Sequence, residues 1–144
     1  MGQHIEVIAR ALIEHQGRVL LCRSVEHGYA YLPGGHVEFG ESAGQAVARE
    51  LEEEAGVAAR VGEPVLFHEC RFVQRGKPRH ELSVLFHVEL EDSEAPVRSR
   101  EAHIAFDWIT LADLPRVDLR PAGIIDWLRQ PSSSRASWLS TDER

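Results

Sequence analysis

The acidic run Glu50, Glu52, Glu53 and Glu54 is the part of this sequence best suited to chemistry. Successive residues of an α-helix turn by about 100°, so with Glu50 at zero, Glu54 lies near about 40° and Glu53 near about 300°. Three carboxylates therefore share one arc of roughly 100°, while Glu52 falls near about 200°, on the far side. Val47 and Leu51 lie near about 60° and about 100°, so the acidic arc overlaps the apolar face instead of opposing it. Carboxylates three and four residues apart repel one another, and crowding them at the margin of a core requires a cation. Oxygen-only ligands suit a hard divalent ion. Mg2+ (or Mn2+) takes a few carboxylates, several waters and the phosphate oxygens of a substrate. Arg49, one turn before Glu53, is placed to brace that carboxylate.

The elements that must hold this arc are legible around it. Ser42 and Gln45 fit a capping box, Ala43, Ala46, Val47, Leu51 and Ala55 keep helical spacing, and Gly56 suits a left-handed cap, which predicts a helix over 43–55. Before it, Pro33, Gly34, Gly35 and Gly40 predict a loop over 31–40 without regular structure, able to bring bare backbone to the same place. Alternation through Ile5, Val7, Ala9, Ala11 and Ile13 predicts a strand, turned at Gln16 and Gly17 into a short apolar run at 19–22. Further strands are expected over 65–73 and 82–90, joined by Arg75, Gly76, Lys77 and Pro78, and over 104–109. A helical turn at 111–114 and a second helix opened by Pro121 follow. Trp108, Trp127, Phe67, Phe72 and Phe86 fit core positions. A single domain is expected over 1–130, with 131–144 a flexible tail that has little to pack. Strands and helices without strict βαβ alternation predict a mixed sheet with a helix on each face.

From Gly35 to Val57 the chain reads Gly35, five residues, Glu41, seven residues, then Arg49, Glu50, Leu51, Glu52, Glu53, Glu54, Ala55, Gly56, Val57. This pattern resembles the Nudix box, and all nine specified positions match. The resemblance implies an α/β/α sandwich. It also implies a Mg2+-dependent hydrolase that cleaves a phosphoanhydride bond with water as nucleophile. Its substrate would be a nucleoside diphosphate derivative: a nucleoside triphosphate, a nucleotide sugar or a dinucleoside polyphosphate. By the same resemblance Glu50, Glu53 and Glu54 bind metal and Arg49 orients a ligand. Glu41 supports the site or touches an outer metal, and Gly34 or Gly35 offers a backbone carbonyl. Relatives often recruit a later carboxylate as general base or extra ligand. Glu101, ahead of a strand, is the candidate, with Glu91, Asp92 and Glu94 in the same region. The marker Pro or Tyr that accompanies ADP-ribose or dinucleoside polyphosphate substrates is missing from 72–75. A nucleotide-sensing binding module is disfavoured by the full ligand set. An isomerase on the same fold is disfavoured because Cys22 and Cys70 do not supply its acid.

Other residues bound the partners. A net charge of −7 argues against general nucleic-acid binding but leaves a small nucleotide reached through a metal. No apolar run approaches the ~20 residues of a membrane span, and no secretory pattern opens the chain, so a cytoplasmic location is expected. No motif specifies an interface, and a homodimer is left open. Cys22 and Cys70 are isolated and read as reduced thiols in strands. Tyr31, with Tyr29, stands ahead of the Gly-Gly pair where a base could be flanked, and His80 and Glu81 could face the substrate. Arg71 and Arg79 belong to a basic hairpin that could hold a phosphate, with a solvated hairpin as the competing reading.

Overall fold

The alternating N-terminal residues form β1 (Glu6–Leu12), followed by a hairpin of β2 (Glu14–His15) and β3 (Arg18–Ser24) turned by Gln16 and Gly17. This computed structural model describes residues 3–144. Next come β4 (Ala30–Tyr31), β5 (Gly34–His36) and helix α1 (Ala43–Ala55). A long hairpin of β6 (Ala59–Gln74) and β7 (Lys77–Leu90) leads to β8 (Ile104–Thr110) and a 3-10 turn over Leu111–Arg116. Helix α2 (Ile124–Arg129) and β9 (Trp138–Asp142) complete the fold.

The strands make two sheets instead of the one expected. The first runs β5-β1-β7-β6-β9 and is mixed: β1 is parallel to β7 and β6 to β9, while the other pairs are antiparallel. In the second, β3 pairs antiparallel with β2, β4 and β8. Successive strand residues face opposite sides, and β1 and β3 divide their side chains accordingly. Ala9, Ala11, Ile13 and Leu20 pack with Ala46, Val47 and Leu51 of α1. Leu12, Val19 and Leu21 pack with Ile124, Trp127 and Leu128 of α2. The result is the mixed α/β sandwich, with α1 and α2 on opposite faces. The alanines of β1 let α1 approach closely, and burying Val47 and Leu51 contributes about 1.5–3 kcal/mol each.

Several expectations are corrected by long-range pairing. The Tyr31–Gly40 segment is not wholly irregular, because Gly34–His36 pairs with Ile8–Arg10 as an edge strand. Gly34 has φ 142°, and a Cβ there would collide with the Ala9 carbonyl oxygen and lie 2.8 Å from the Arg10 Cα, so only glycine fits. Phe67 is exposed, not core. The segment after residue 130 is not a loose tail: β9 joins the sheet edge beside β6, in register from Phe67↔Trp138 to Arg71↔Asp142. Polar anchors hold it, since Arg135 pairs with Glu14 at 3.0 Å and donates to the Leu128 carbonyl at 2.7 Å.

Candidate active site

Helix α1 starts as its sequence requires. Ser42 accepts from the Gln45 N–H while Gln45 accepts from the Ser42 N–H, and Gly56 closes the other end at φ 63°. This fixes the azimuth of the acidic arc, and the structure then separates its members. Glu54 is buried at 8% exposure, and its Oε2 has no hydrogen-bond partner. Glu50 stands beside it over the bare face of Gly35, where an added Cβ would be 2.6 Å from the Glu50 carboxyl carbon. Burial, then the adjacent Glu50 carboxylate and the charge of Glu101, push the Glu54 carboxyl up to about 8, against the opposing pull of Arg10. Glu53 lies outside this pair. It is exposed and bound to Arg49 Nη1 at 3.2 Å.

Arg49 is the hub of the arrangement. Its Nε and Nη2 donate to the two Glu41 oxygens at 3.1 and 2.8 Å, its Nη1 to Glu50 at 3.0 Å, and its Nη2 also to the His36 carbonyl at 3.2 Å. These bonds hold the Glu41 carboxyl below its ordinary range and raise the guanidinium further above its own. Glu52, on the far side of the helix, pairs instead with Arg100 at 3.4 Å.

A cleft of about 970 Å3 opens over Gly34, Gly35, Glu50 and Glu54. Tyr31, Glu81 and Glu101 also line it. Glu101 sits 3.3 Å from His103. Burial raises the Tyr31 hydroxyl pKa, so the group stays a neutral donor. Arg71, Arg79 and His80 are not among the lining side chains. His80 stands across from Arg71 on the face opposite Glu81, and Arg79 is engaged by both Glu6 oxygens at 2.7 and 2.9 Å. Glu94 is drawn away to His15 at 2.7 Å, and Asp92 caps the Glu94 and Ala95 N–H groups. Both cysteines are free, buried and raised in pKa, chiefly by burial, and so are poor nucleophiles.

Arg10 is a feature that sequence reasoning missed. It lies in the cleft floor, donates to the Leu32 carbonyl at 2.9 Å, approaches Glu81 at 3.5 Å, and leaves its buried Nε without a partner. The signal was available, since a lone arginine interrupts an apolar strand between Ala9 and Ala11. Asp118, Arg120 and Glu143 also line the cleft without having been singled out.

The full convergence of carboxylates on one point is not found. Among the described residues, no three acidic, histidine or cysteine side chains are gathered so as to enclose a metal by themselves. The Glu50–Glu54 pair still fits a divalent cation, because the Glu54 Oε2 is buried without a hydrogen-bond partner beside a second carboxylate. Few protein ligands suffice where water and substrate oxygens complete the shell.

Comparison with known proteins agrees with this architecture. Residues 2–128 match the family model of the NUDIX domain. A CTP pyrophosphohydrolase of Escherichia coli is 37% identical over 125 residues, covering 83% of this chain and 86% of that protein. An ADP-ribose pyrophosphatase of Methanocaldococcus jannaschii is 30% identical over 132 residues, covering 88% and 75%. The crystal structure of a MutT NUDIX hydrolase from Burkholderia pseudomallei superposes with a TM-score of 0.68 at 27% identity, covering 85% of this chain and 96% of that one. Fold and site thus define a Nudix-type α/β/α hydrolase. The chain belongs to the NUDIX family.

Proposed function

We propose that this Nudix pyrophosphohydrolase hydrolyses a phosphoanhydride bond of a nucleoside diphosphate derivative, a nucleoside triphosphate in the first place, with Mg2+ or Mn2+ held at Glu50 and Glu54. The observation that carries the reading is the buried, partnerless Glu54 oxygen beside Glu50 in the cleft. The relatives named for CTP and for ADP-ribose support a nucleotide substrate. Bound there, the cation lowers the pKa of water and offsets charge on the phosphate oxygens. The chain supplies the remainder. Gly35 leaves room for the Glu50 carboxylate, and Arg49 aims Glu50 while tying Glu41 and Glu53 to the same guanidinium. Arg10 brings positive charge to the cleft floor for the substrate's phosphates. Glu101 is our candidate to take the proton of the attacking water, with His103 beside it.

No helix of the described residues is long and apolar enough to cross a membrane. The test is a panel of nucleoside triphosphates, nucleotide sugars and dinucleoside polyphosphates assayed with Mg2+ and with chelator, with products identified. Mg2+-dependent release of a nucleoside monophosphate and pyrophosphate is expected. Turnover that survives chelation, or none on any substrate, refutes the reading.

A further inference from the structure

The proposed hydrolysis needs a cleft that holds the rest of the substrate as well as its diphosphate. This one crosses the five-stranded sheet. Gly35 and Glu50 stand at the β5 edge, and Glu143 stands just past β9 at the opposite edge. Four interstrand steps of about 4.8 Å separate the edges by on the order of 19 Å, enough for a ribose and a base beyond the phosphates.

Three observations meet at the β9 end. The Glu143 carboxylate reaches the cleft while its Oε1 accepts from the Ala122 N–H and its Oε2 from the Gly123 N–H, each at 3.0 Å. Gly123 makes room for it, since a Cβ there would lie 2.7 Å from Thr141 Cγ2 and 3.1 Å from Glu143 Oε2. The lining also includes aromatic side chains: Phe72, and Tyr29 with the Arg120 guanidinium 4.5 Å from its ring centroid. The NUDIX family-model match spans residues 2–128, so Glu143 lies outside the matched segment.

We infer that Glu143 is a specificity-determining residue that accepts a hydrogen bond from the exocyclic amino group of the substrate's nucleobase. The inference rests on the nucleotide hydrolysis proposed above. A carboxylate only accepts; Oε2 also takes the Cys70 thiol at 3.8 Å, whereas Oε1 has the Ala122 N–H alone and keeps a lone pair for a ligand. A base with an amino group there, cytosine or adenine, satisfies it. The oxo counterparts uracil and hypoxanthine set an acceptor against an acceptor and are rejected.

The test compares kcat/KM for CTP against UTP and for ATP against ITP, in the wild type and in Glu143→Gln. The wild type should favour the amino member of at least one pair by about tenfold or more. Glu143→Gln can both donate and accept, and should bring that ratio within about twofold. Losing one backbone acceptor handicaps both members equally and cancels in the ratio. If Glu143 only ties β9 to the turn before α2, both members fall together, the ratio persists, and the inference is overturned. A wild type indifferent within both pairs overturns it without any variant. Should no nucleotide be hydrolysed, nor shift the melting temperature with Mg2+ present, the proposed function falls and this inference with it. Hydrolysis with an unchanged ratio overturns the inference alone.

Discussion

Replacing Gly35 by alanine tests whether the Glu50 carboxylate must sit where the structure puts it. The new Cβ would lie 2.6 Å from the Glu50 carboxyl carbon and Oε1, and 3.0 Å from Oε2. To regain ordinary van der Waals contact the carboxylate must withdraw by roughly 0.8 Å. It cannot do so freely, because Arg49 Nη1 holds it at 3.0 Å. Gly35 is not among the positive-φ glycines, so the backbone itself accepts alanine and the pairing of Gly35 with Ala9 persists. The fold should therefore lose only about 1 kcal/mol, or about 3 °C in Tm. A displacement near 1 Å at a reacting centre costs far more, about 10²-fold in kcat/KM. The assay is nucleotide release at saturating Mg2+, with a Mg2+ titration and a thermal melt. Gly44→Ala is the matched control. Gly44 lies within α1, and an added Cβ would meet only Val61 Cγ1 at 3.7 Å and Phe86 Cε2 at 3.9 Å, so the variant should gain about 0.5–1 kcal/mol with activity unchanged. A folded Gly35→Ala enzyme with more than about a third of wild-type kcat/KM and the same Mg2+ dependence would refute the assignment of Glu50.

The remaining expectations use the same side chains. The Glu54 carboxyl is raised from 4.5 to about 8 in the folded chain, so between those values the native state keeps a proton that the unfolded state has released. Metal-free stability contributed by Glu54 is thus full below that window, falls as pH rises through it, and is flat above. Denaturant titrations in chelator should show this slope in the wild type and lose it in Glu54→Gln; identical pH profiles would contradict it. Glu53→Gln, which alters a partner of Arg49, should lower kcat by about 10²-fold or more, whereas Glu52→Gln, facing Arg100, should leave it within about twofold. Equal losses in steady-state assays would contradict the helical geometry. Arg49→Lys gives up the two-pronged grip on Glu41 and should weaken Mg2+ binding by about 10-fold, read by calorimetry with a nucleotide present.

The site's local parts were legible because their causes are local. Caps, helical spacing and the Gly35-to-Val57 pattern lie within two dozen residues, and α1 begins and ends where they say. Even the unequal fates of the acids follow from azimuth. Glu54, near about 40°, lies closest to Val47 and Leu51 and is buried, while Glu53, near about 300°, falls on the side away from them and is exposed. Pairing register has no such local cause. That Gly34 lies against Arg10, and that Arg10 consequently enters the cleft floor, depends on β5 returning to β1 as an edge strand.

The far wall of the cleft was illegible for a further reason. A strand is normally recognised by apolar alternation, and Trp138–Asp142 offers only Leu139 turned inward. What seats it is polar and distant. The Trp127 indole donates to the Ala136 carbonyl at 2.8 Å, Arg135 stacks 4.6 Å from that ring centroid and reaches Glu14, and Glu143 ties to residues 122 and 123. The bonds to Glu14 and from Glu143 join residues brought close only by the finished fold, so the sequence shows the partners without their meeting. A side chain placed by such bonds can change from one relative to the next without disturbing the core or helix α1. The end of the cleft proposed to hold the metal is therefore written in a contiguous pattern, while the end proposed to discriminate among substrates depends on tertiary contacts outside it.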